Sequence, residues 1–260
     1  MDNKFTIDSR YGYGDVRPQA IETYRKLFEI CEKAIASINY DEINQRKIYS
    51  VGFLIKAMNT FKALYNLGEY RLTAEMLILL RHLFEIIVLL RANLDDESFA
   101  AKYMKTHEAR QKKIGNVMKQ HPELFQDENL IELKGMLQSL AEEVNTESIP
   151  EIKIEELSKR VGMNAYYQLV YRYLCDVAHV SPKTIEHLIK SGTEKPIVIS
   201  FFPYEEDMTM FLLVACDLML IALKETDRTF SLSLSEALFE IEQRLELERV
   251  ALNEGDSSSK

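Results

Sequence analysis

The sequence predicts an all-α protein, a bundle of about eight helices with at most one short extended segment near residues 196–202. Three observations favour this class. Only 9 glycines and 6 prolines interrupt 260 residues, which is too few for a turn-rich β protein. Apolar residues make up 47% of the chain, and they recur at helical three-and-four spacing over most of it. Good helix formers, above all Leu, Ala, Glu and Lys, fill the segments between turns.

The first half of the chain predicts four helices. The first begins at Pro18, and Asp41 offers a cap for the second. A very short link leads to a third helix over residues 72–94, so the second and third helices should form an antiparallel pair. The third helix is apolar on nearly every side and should be central in the bundle. Residues 95–98 can cap the fourth helix.

The second half predicts further helices near residues 127–144, 154–161, 164–179, 205–226 and 233–250. Between them, the β-branched and aromatic run PIVISFF at 196–202 is typical of a strand. Residues 145–153 are linker-like but too short and mixed to mark a domain boundary. We therefore expect one helical domain at 1–250 and a disordered acidic, Ser-rich tail at 251–260.

The chain lacks the common motifs of cofactor and metal sites. Cys31, Cys175 and Cys216 are odd in number and widely spaced, so no disulfide framework or CxxC metal site is expected. No Glu-x-x-His pair, P-loop, dinucleotide fingerprint or Gly-x-Ser-x-Gly elbow is present. We expect no metal, no cofactor and no dinucleotide. Without an apolar signal core or an 18-residue apolar run, we expect a cytoplasmic protein with no membrane partner.

A polar stripe follows one side of the apolar third helix. At 100° per residue its members fall within about a third of the helical wheel; they are Glu75, Arg81, His82 and Glu85. Because an unpaired buried charge is costly, these groups must pair with one another, with a facing helix or with a water-filled cleft. The stripe is therefore either a structural salt-bridge network or the wall of a site.

A second polar set lies on the helix near residues 164–179. Gln168, Arg172, Asp176 and His179 are spaced by four, four and three residues, so they share one face. This set suits phosphate chemistry, because Arg172 can stabilise charge on phosphorus and His179 can move a proton. Asp176 can orient the imidazole. The alternative is an ion-paired face on which His179 closes the helix C-terminus.

The charge distribution bears on nucleic-acid binding. A net charge of −9, from 41 acidic and 32 basic residues, argues weakly against RNA or DNA as a partner. The fourth helix is nevertheless a basic island that can follow a phosphate backbone, and its candidate phosphate-binding residues are Lys102, Lys105, Arg110, Lys112 and Lys113. A solvated, charge-rich helix surface is the alternative interpretation. The negative charge is partly concentrated in the last helix and tail.

One competing pattern is a DNA-binding motif. The run IEELSKRVGMNAYYQLVYRYL is similar to a helix-turn-helix, with Gly162 at a plausible turn position. A recognition helix should be exposed and polar at its start, yet this helix begins with two tyrosines. DNA binding is therefore the third hypothesis, after the two stated below.

The segments RHLFEIIVLLRANLDD and YRYLCDVAHVSP resemble a bacterial family catalogued as the domain of unknown function numbered fifty-six seventy-seven. Its helical architecture would cover residues 43–223. Cys175 stands where the family pattern has a serine. The resemblance rests on Arg81, Phe84, Glu85, Tyr171, Arg172, Leu174, His179 and Ser181.

More distantly, the chain is similar to the HEPN superfamily of helical proteins. In that superfamily, an Arg followed after four to six residues by His marks metal-independent ribonucleases and toxins, which often belong to phage-defence systems. Arg172 and His179 fit that spacing. The resemblance implies a homodimer whose Arg and His pairs face each other and cleave RNA by attack of its own 2′-hydroxyl. The alternative hypothesis is a non-catalytic binding or sensor domain with a buried charge network.

Overall fold

The computed structural model describes residues 6–8, 16–39, 44–121, 135, 152–179, 182, 185–186, 189–190, 198–200 and 208–257. Long helices dominate this part of the chain, which confirms the all-α class. In the first half they are α1 (Pro18–Ser37), α2 (Gln45–Glu69), α3 (Thr73–Asp95) and α4 (Phe99–Gln120). In the second half they are α5 (Ile154–Arg160), α6 (residues 164–178), α7 (Met208–Phe230) and α8 (Ser235–Ser257).

Helix α6 is continuous but not uniform. It starts as an α-helical turn at Asn164–Tyr166, widens into a π-helical segment at Tyr167–Tyr171 and returns to an α-helix at Arg172–Ala178. A π-helical segment adds residues to a turn, so it shifts the direction of the side chains that follow. Such segments are frequent at functional sites.

Local chemistry explains where the first helices begin and end. Pro18 occupies the first turn of α1, where its missing N–H would have no intrahelical partner in any case. The cap of α2 is Asn44, whose Oδ1 accepts a hydrogen bond from the Lys47 amide at 2.9 Å; the expected cap, Asp41, lies outside the described residues. Between α2 and α3, Arg71 adopts a left-handed φ of 57°, which turns the chain sharply into the expected antiparallel pair.

Helix α3 is the centre of the bundle, as its apolar composition predicts. It packs against α2, α4, α5, α6 and α7. Leu80, Leu83, Phe84 and Ile87 are completely buried. The polar side chains of α3 are therefore carried on a helix whose position is set by packing on several sides.

A small sheet accompanies the helices. Strand β3 (Val198–Ser200) lies within the predicted extended segment, pairing in parallel with β1 (Thr6–Asp8) and antiparallel with β2 (Ile189–Lys190). The prediction of at most one extended segment is therefore wrong, because the described residues form three short strands. The physical reason is that an extended backbone needs hydrogen-bonding partners, and strands of two or three residues are too short to show alternation in a sequence.

The C-terminal helix is longer than expected. Helix α8 continues to Ser257, seven residues beyond the end expected near residue 250, and so includes the first residues of the segment expected as a tail. Helix formers such as Ala251 and Leu252 follow Val250 without a stop signal before Gly255, which favours continuation. The helix expected at 127–144 lies outside the described residues apart from Gly135, which is helical. Within the described parts of the chain, no helix has the length and apolar character needed to cross a bilayer.

Candidate functional site

A hydrogen-bonded triangle joins α3 to α6. Arg81 Nη2 donates to Tyr171 Oη at 3.1 Å, and the Tyr171 hydroxyl donates to Glu85 Oε1 at 2.8 Å. The third side is the Arg81–Glu85 ion pair, with 3.4 Å between Nη2 and Oε1. This pair is the i,i+4 contact that the sequence predicts. Arg81 and Glu85 of the polar stripe and Tyr171 of the facing helix are therefore all paired with one another.

Aromatic packing fixes the Tyr171 hydroxyl in place. The Tyr171 ring is 5.2 Å from the Phe84 ring and 5.1 Å from the Tyr167 ring, measured between centroids. The Arg81 guanidinium carbon lies 5.1 Å from the centroid of the Tyr171 ring. Because Tyr171 is only 8% exposed, its hydroxyl depends on the protein for hydrogen bonds.

The protonation states follow from this environment. Burial acts to raise the pKa of the Glu85 carboxyl, but the neighbouring His82 imidazole and the hydrogen bond from Tyr171 outweigh it and hold that pKa below its usual value. Burial also raises the pKa of Tyr171 to about 12; the hydrogen bond to Glu85 adds to that shift, whereas the Arg81 bond opposes it. At neutral pH the phenol is therefore a proton donor and the carboxylate an acceptor.

The residues of the expected polar wall do not all lie together. His82 lies near the triangle, with its Nδ1 3.7 Å from Glu85 Oε2. Glu75 is exposed in the first turn of α3, about 15 Å along the helix from Glu85 at 1.5 Å per residue. Tyr171, which the sequence marks only as part of a family pattern, supplies the contact between α3 and α6. No local spacing reveals that contact, because it depends on how α3 and α6 cross.

The second polar set lies on the solvent side of α6. Gln168, Arg172, Asp176 and His179 are all exposed. Arg172 Nη1 donates to Gln168 Oε1 at 3.1 Å, which orients the guanidinium. His179 follows the last helical residue, and its backbone N–H donates to the Cys175 carbonyl at 3.1 Å. The catalytic role of these residues stays a prediction.

Two apolar side chains are exposed among these polar groups. Leu169 is 76% exposed and Tyr173 37% exposed. The Tyr173 ring also stacks on Phe211 of α7, with 6.1 Å between centroids. We call this surface the α6 face; its residues are Gln168, Leu169, Arg172, Tyr173, Asp176 and His179. It combines a cation, a carboxylate, an imidazole and apolar contact area.

The basic residues of α4 lie on a different helix around α3. Lys102, Lys105, Arg110 and Lys113 are exposed, and the side chain of Lys112 lies outside the described residues. Helix α4 packs against α2 and α3, whereas α6 packs against α3 and α5. The phosphate-binding role of the α4 residues stays a prediction.

An acidic residue links the start of α4 to α5. Asp96 accepts hydrogen bonds from the Ser98 hydroxyl at 2.6 Å and from Lys102 at 3.1 Å. Its Oδ2 also lies 3.7 Å from Arg160 Nη1 of α5. The Ser98 hydrogen bonds, with a smaller contribution from Lys102, lower the pKa of Asp96 to about 2. This carboxylate therefore stays ionised and helps to hold the two helices together.

Two other predicted features can be placed. Helices α5 and α6 are joined by a tight turn at Val161–Gly162, in which Gly162 has a φ of 72°, and Leu157 and Met163 are buried beside it. The segment thus has the outline of a helix-turn-helix, and its binding of DNA stays a prediction. Across the described residues, no three or more His, Cys, Asp or Glu side chains are grouped to hold a metal ion.

Comparison with known proteins gives a family but no named activity. A family of unknown function, DUF5677, matches residues 47–196. This range is narrower than the expected residues 43–223, and it contains both the triangle and the α6 face. No curated protein and no solved structure matches the chain.

Proposed function

We propose that this chain, which belongs to the DUF5677 family of unknown function, is a metal-independent ribonuclease that acts at the α6 face. The observation that carries the proposal is the exposure of Arg172, Asp176 and His179 on one side of α6. A guanidinium, a carboxylate and an imidazole that are open to solvent on one helix face can reach a phosphodiester together.

The chemistry assigns one task to each group. His179 removes the proton of the ribose 2′-hydroxyl, whose oxygen attacks the adjacent phosphorus. Arg172, oriented by Gln168 at 3.1 Å, stabilises the negative charge that develops on the phosphoryl oxygens. The bond from phosphorus to the 5′-oxygen then breaks, and an imidazolium returns the proton to that oxygen. The products are a 2′,3′-cyclic phosphate and a 5′-hydroxyl.

Cleavage assays on an RNA and on a DNA of the same sequence test this chemistry. We expect the purified protein in the presence of a metal chelator to cut single-stranded RNA and to leave the matching DNA intact, because DNA lacks the attacking 2′-hydroxyl. Gel analysis with end-group identification measures both cleavage and the cyclic phosphate. The control is the same RNA with every 2′-oxygen methylated, which should stay intact. RNA that survives the incubation contradicts the proposal.

We also propose that two copies of the chain meet at the α6 face. The exposed Leu169 and Tyr173 support this arrangement, because burying them would stabilise a dimer. A twofold axis requires a self-complementary surface. Arg172 and Asp176 on one face provide opposite charges that can pair across such an axis. The two histidines of a dimer can then serve as base and acid.

Leu169→Lys is expected to weaken this dimer, because it places a charge in the proposed contact. Light scattering after size-exclusion chromatography should give the native protein about twice its chain mass of 30.2 kDa and should give the variant a lower mass. Leu247→Lys is the matched control, since Leu247 on α8 is 69% exposed. A native mass equal to that of one chain contradicts the dimer.

The second candidate is a non-catalytic binding or sensor domain. The observation that favours it is the triangle of Arg81, Tyr171 and Glu85, in which half-buried charges satisfy one another. Such a network positions α6 against α3 without any chemical step. Intact RNA in the assay above, together with a large loss of stability on replacing Glu85, favours this candidate.

A further inference from the structure

Helix α5 contacts both the start of the basic helix α4 and the helix that carries the α6 face. At one end of α5, Arg160 lies 3.7 Å from Asp96 and 5.8 Å from the centre of the Phe99 ring, where α4 begins. At the other end, Glu155 accepts a hydrogen bond from the Tyr167 hydroxyl of α6 at 3.4 Å. The basic helix and the α6 face are therefore neighbours across one short helix.

We propose that the RNA strand cut at the α6 face continues over α5 and is held on α4. The inference deepens the proposed ribonuclease and rests on it, because it takes the α6 face as the place of cleavage. The substrate class that it assigns is single-stranded RNA of several nucleotides. Helix α4 then binds phosphates of that strand away from the bond that is cut.

Three cations of α4 are available to such a ligand. The helix carries six basic residues against one acidic residue. Among the residues that the structure describes, no side chain pairs with Lys105, Arg110 or Lys113, and all three are exposed. Lys102 is not counted with them, because it already pairs with Asp96 at 3.1 Å. A phosphate can bind to the three unpaired cations without breaking an ion pair.

The unpaired cations share one side of α4. At 100° per residue, Lys105, Lys113 and Arg110 fall within about 140° of the helical wheel, and they extend over about 12 Å along the axis. Val117, which is 53% exposed, lies between Lys113 and Arg110 on that wheel. This side of α4 therefore offers charge to the phosphates and an apolar contact to the bases of a single strand.

The carboxylates of α5 do not oppose a bound strand, because both are paired with cations. Glu155 pairs with Lys159 at 2.7 Å. Glu156 pairs with Lys153 at 3.2 Å. The hydrogen bond from Lys159 is the main cause that lowers the pKa of Glu155, and Arg172 of the α6 face adds to that shift. The path from Arg172 to α4 thus carries little uncompensated negative charge.

Binding of an RNA of about 16 nucleotides, the upper end of usual single-strand site sizes, tests the inference. Every 2′-oxygen of this RNA is methylated, so the strand can bind but cannot be cut. Fluorescence anisotropy with the full chain, over a series of salt concentrations, measures the affinity and its salt dependence. Arg172→Ala should weaken the complex, because one strand contacts both the α6 face and α4.

The double variant Arg110→Ala/Lys113→Ala should bind this RNA about tenfold more weakly at low salt. Its slope of log affinity against log salt should be smaller by about 1.4, since each phosphate contact to a single strand contributes about 0.7. The thermal midpoint should stay near that of the native chain, because both side chains are exposed and alanine is the best helix former.

The matched control is Lys33→Ala/Lys56→Ala. It removes two exposed cations from α1 and α2, so it changes the net charge by the same amount, and it should bind like the native chain. The inference is overturned if Arg110→Ala/Lys113→Ala binds like this control or if Arg172→Ala does not weaken the complex. It is also overturned if the chain binds polyglutamate through α4 and does not bind RNA.

The methylated RNA separates the α4 surface from the ribonuclease. If the native chain cuts unmethylated RNA but the α4 double variant binds like its control, the ribonuclease stands and the α4 surface is contradicted. If the α4 double variant loses affinity but the native chain leaves unmethylated RNA intact, RNA binding by α4 is supported and the ribonuclease alone is contradicted.

Discussion

His179→Ala is expected to slow RNA cleavage by about 10²–10⁴-fold, the usual contribution of a general acid or base. The imidazole is exposed and follows the last residue of α6, so its removal should leave the thermal midpoint nearly unchanged. Arg172→Ala should cost about 10²–10³-fold, as expected for the loss of a group that stabilises developing charge. Single-turnover cleavage of a labelled RNA and a melting curve measure the two effects on the same preparation.

His107→Ala is the matched control for this experiment. His107 is an exposed histidine on α4, and its removal should change neither the rate nor the stability. Arg172→Lys adds information, because lysine keeps the charge but loses the planar fork that contacts two phosphoryl oxygens. A His179→Ala protein that cleaves RNA as fast as the His107→Ala protein contradicts the assigned role.

The features that could be predicted from the sequence are those set by the spacing of residues along one helix. The Arg81–Glu85 contact needs only an α-helix, because residues four apart on a helix are neighbours. The central position of α3 follows from a helix that is apolar on nearly all sides. The shared exposed side of Gln168 and Arg172 is likewise a matter of spacing along one helix.

The parts that sequence could not predict depend on contacts between distant segments. Tyr171 reaches Glu85 because α6 crosses α3 there and because a π-helical segment precedes Arg172; neither has a recognisable sequence signature. Arg46 and Arg228 likewise line one cavity, although they are far apart in the chain. Side chains that meet only through tertiary packing leave no periodic pattern in the sequence.

Glu85→Ala is expected to lower the free energy of unfolding by about 2–3 kcal/mol. Breaking a fully buried ion pair costs about 3–5 kcal/mol, but the side chains of Arg81 and Glu85 are 27% and 26% exposed, so solvent reduces the effect. For a chain of this size the loss corresponds to a thermal midpoint lower by about 5–10 °C. Glu75→Ala, on the exposed start of the same helix, is the matched control and should cost under about 1 kcal/mol.

The same pair gives a defined pH dependence. Because hydrogen bonding holds the pKa of folded Glu85 below the ordinary value of 4.5, the unfolded chain binds a proton there more readily than the folded chain does. The stability that Glu85 contributes is therefore complete above pH 4.5 and is lost as the pH falls through the lower folded pKa. Urea unfolding should show a difference in the free energy of unfolding between the native and Glu85→Gln proteins. This difference should be largest at neutral pH and should shrink below pH 4.5. A difference that stays constant into acid would mean that the carboxylate charge does not stabilise the contact between α3 and α6.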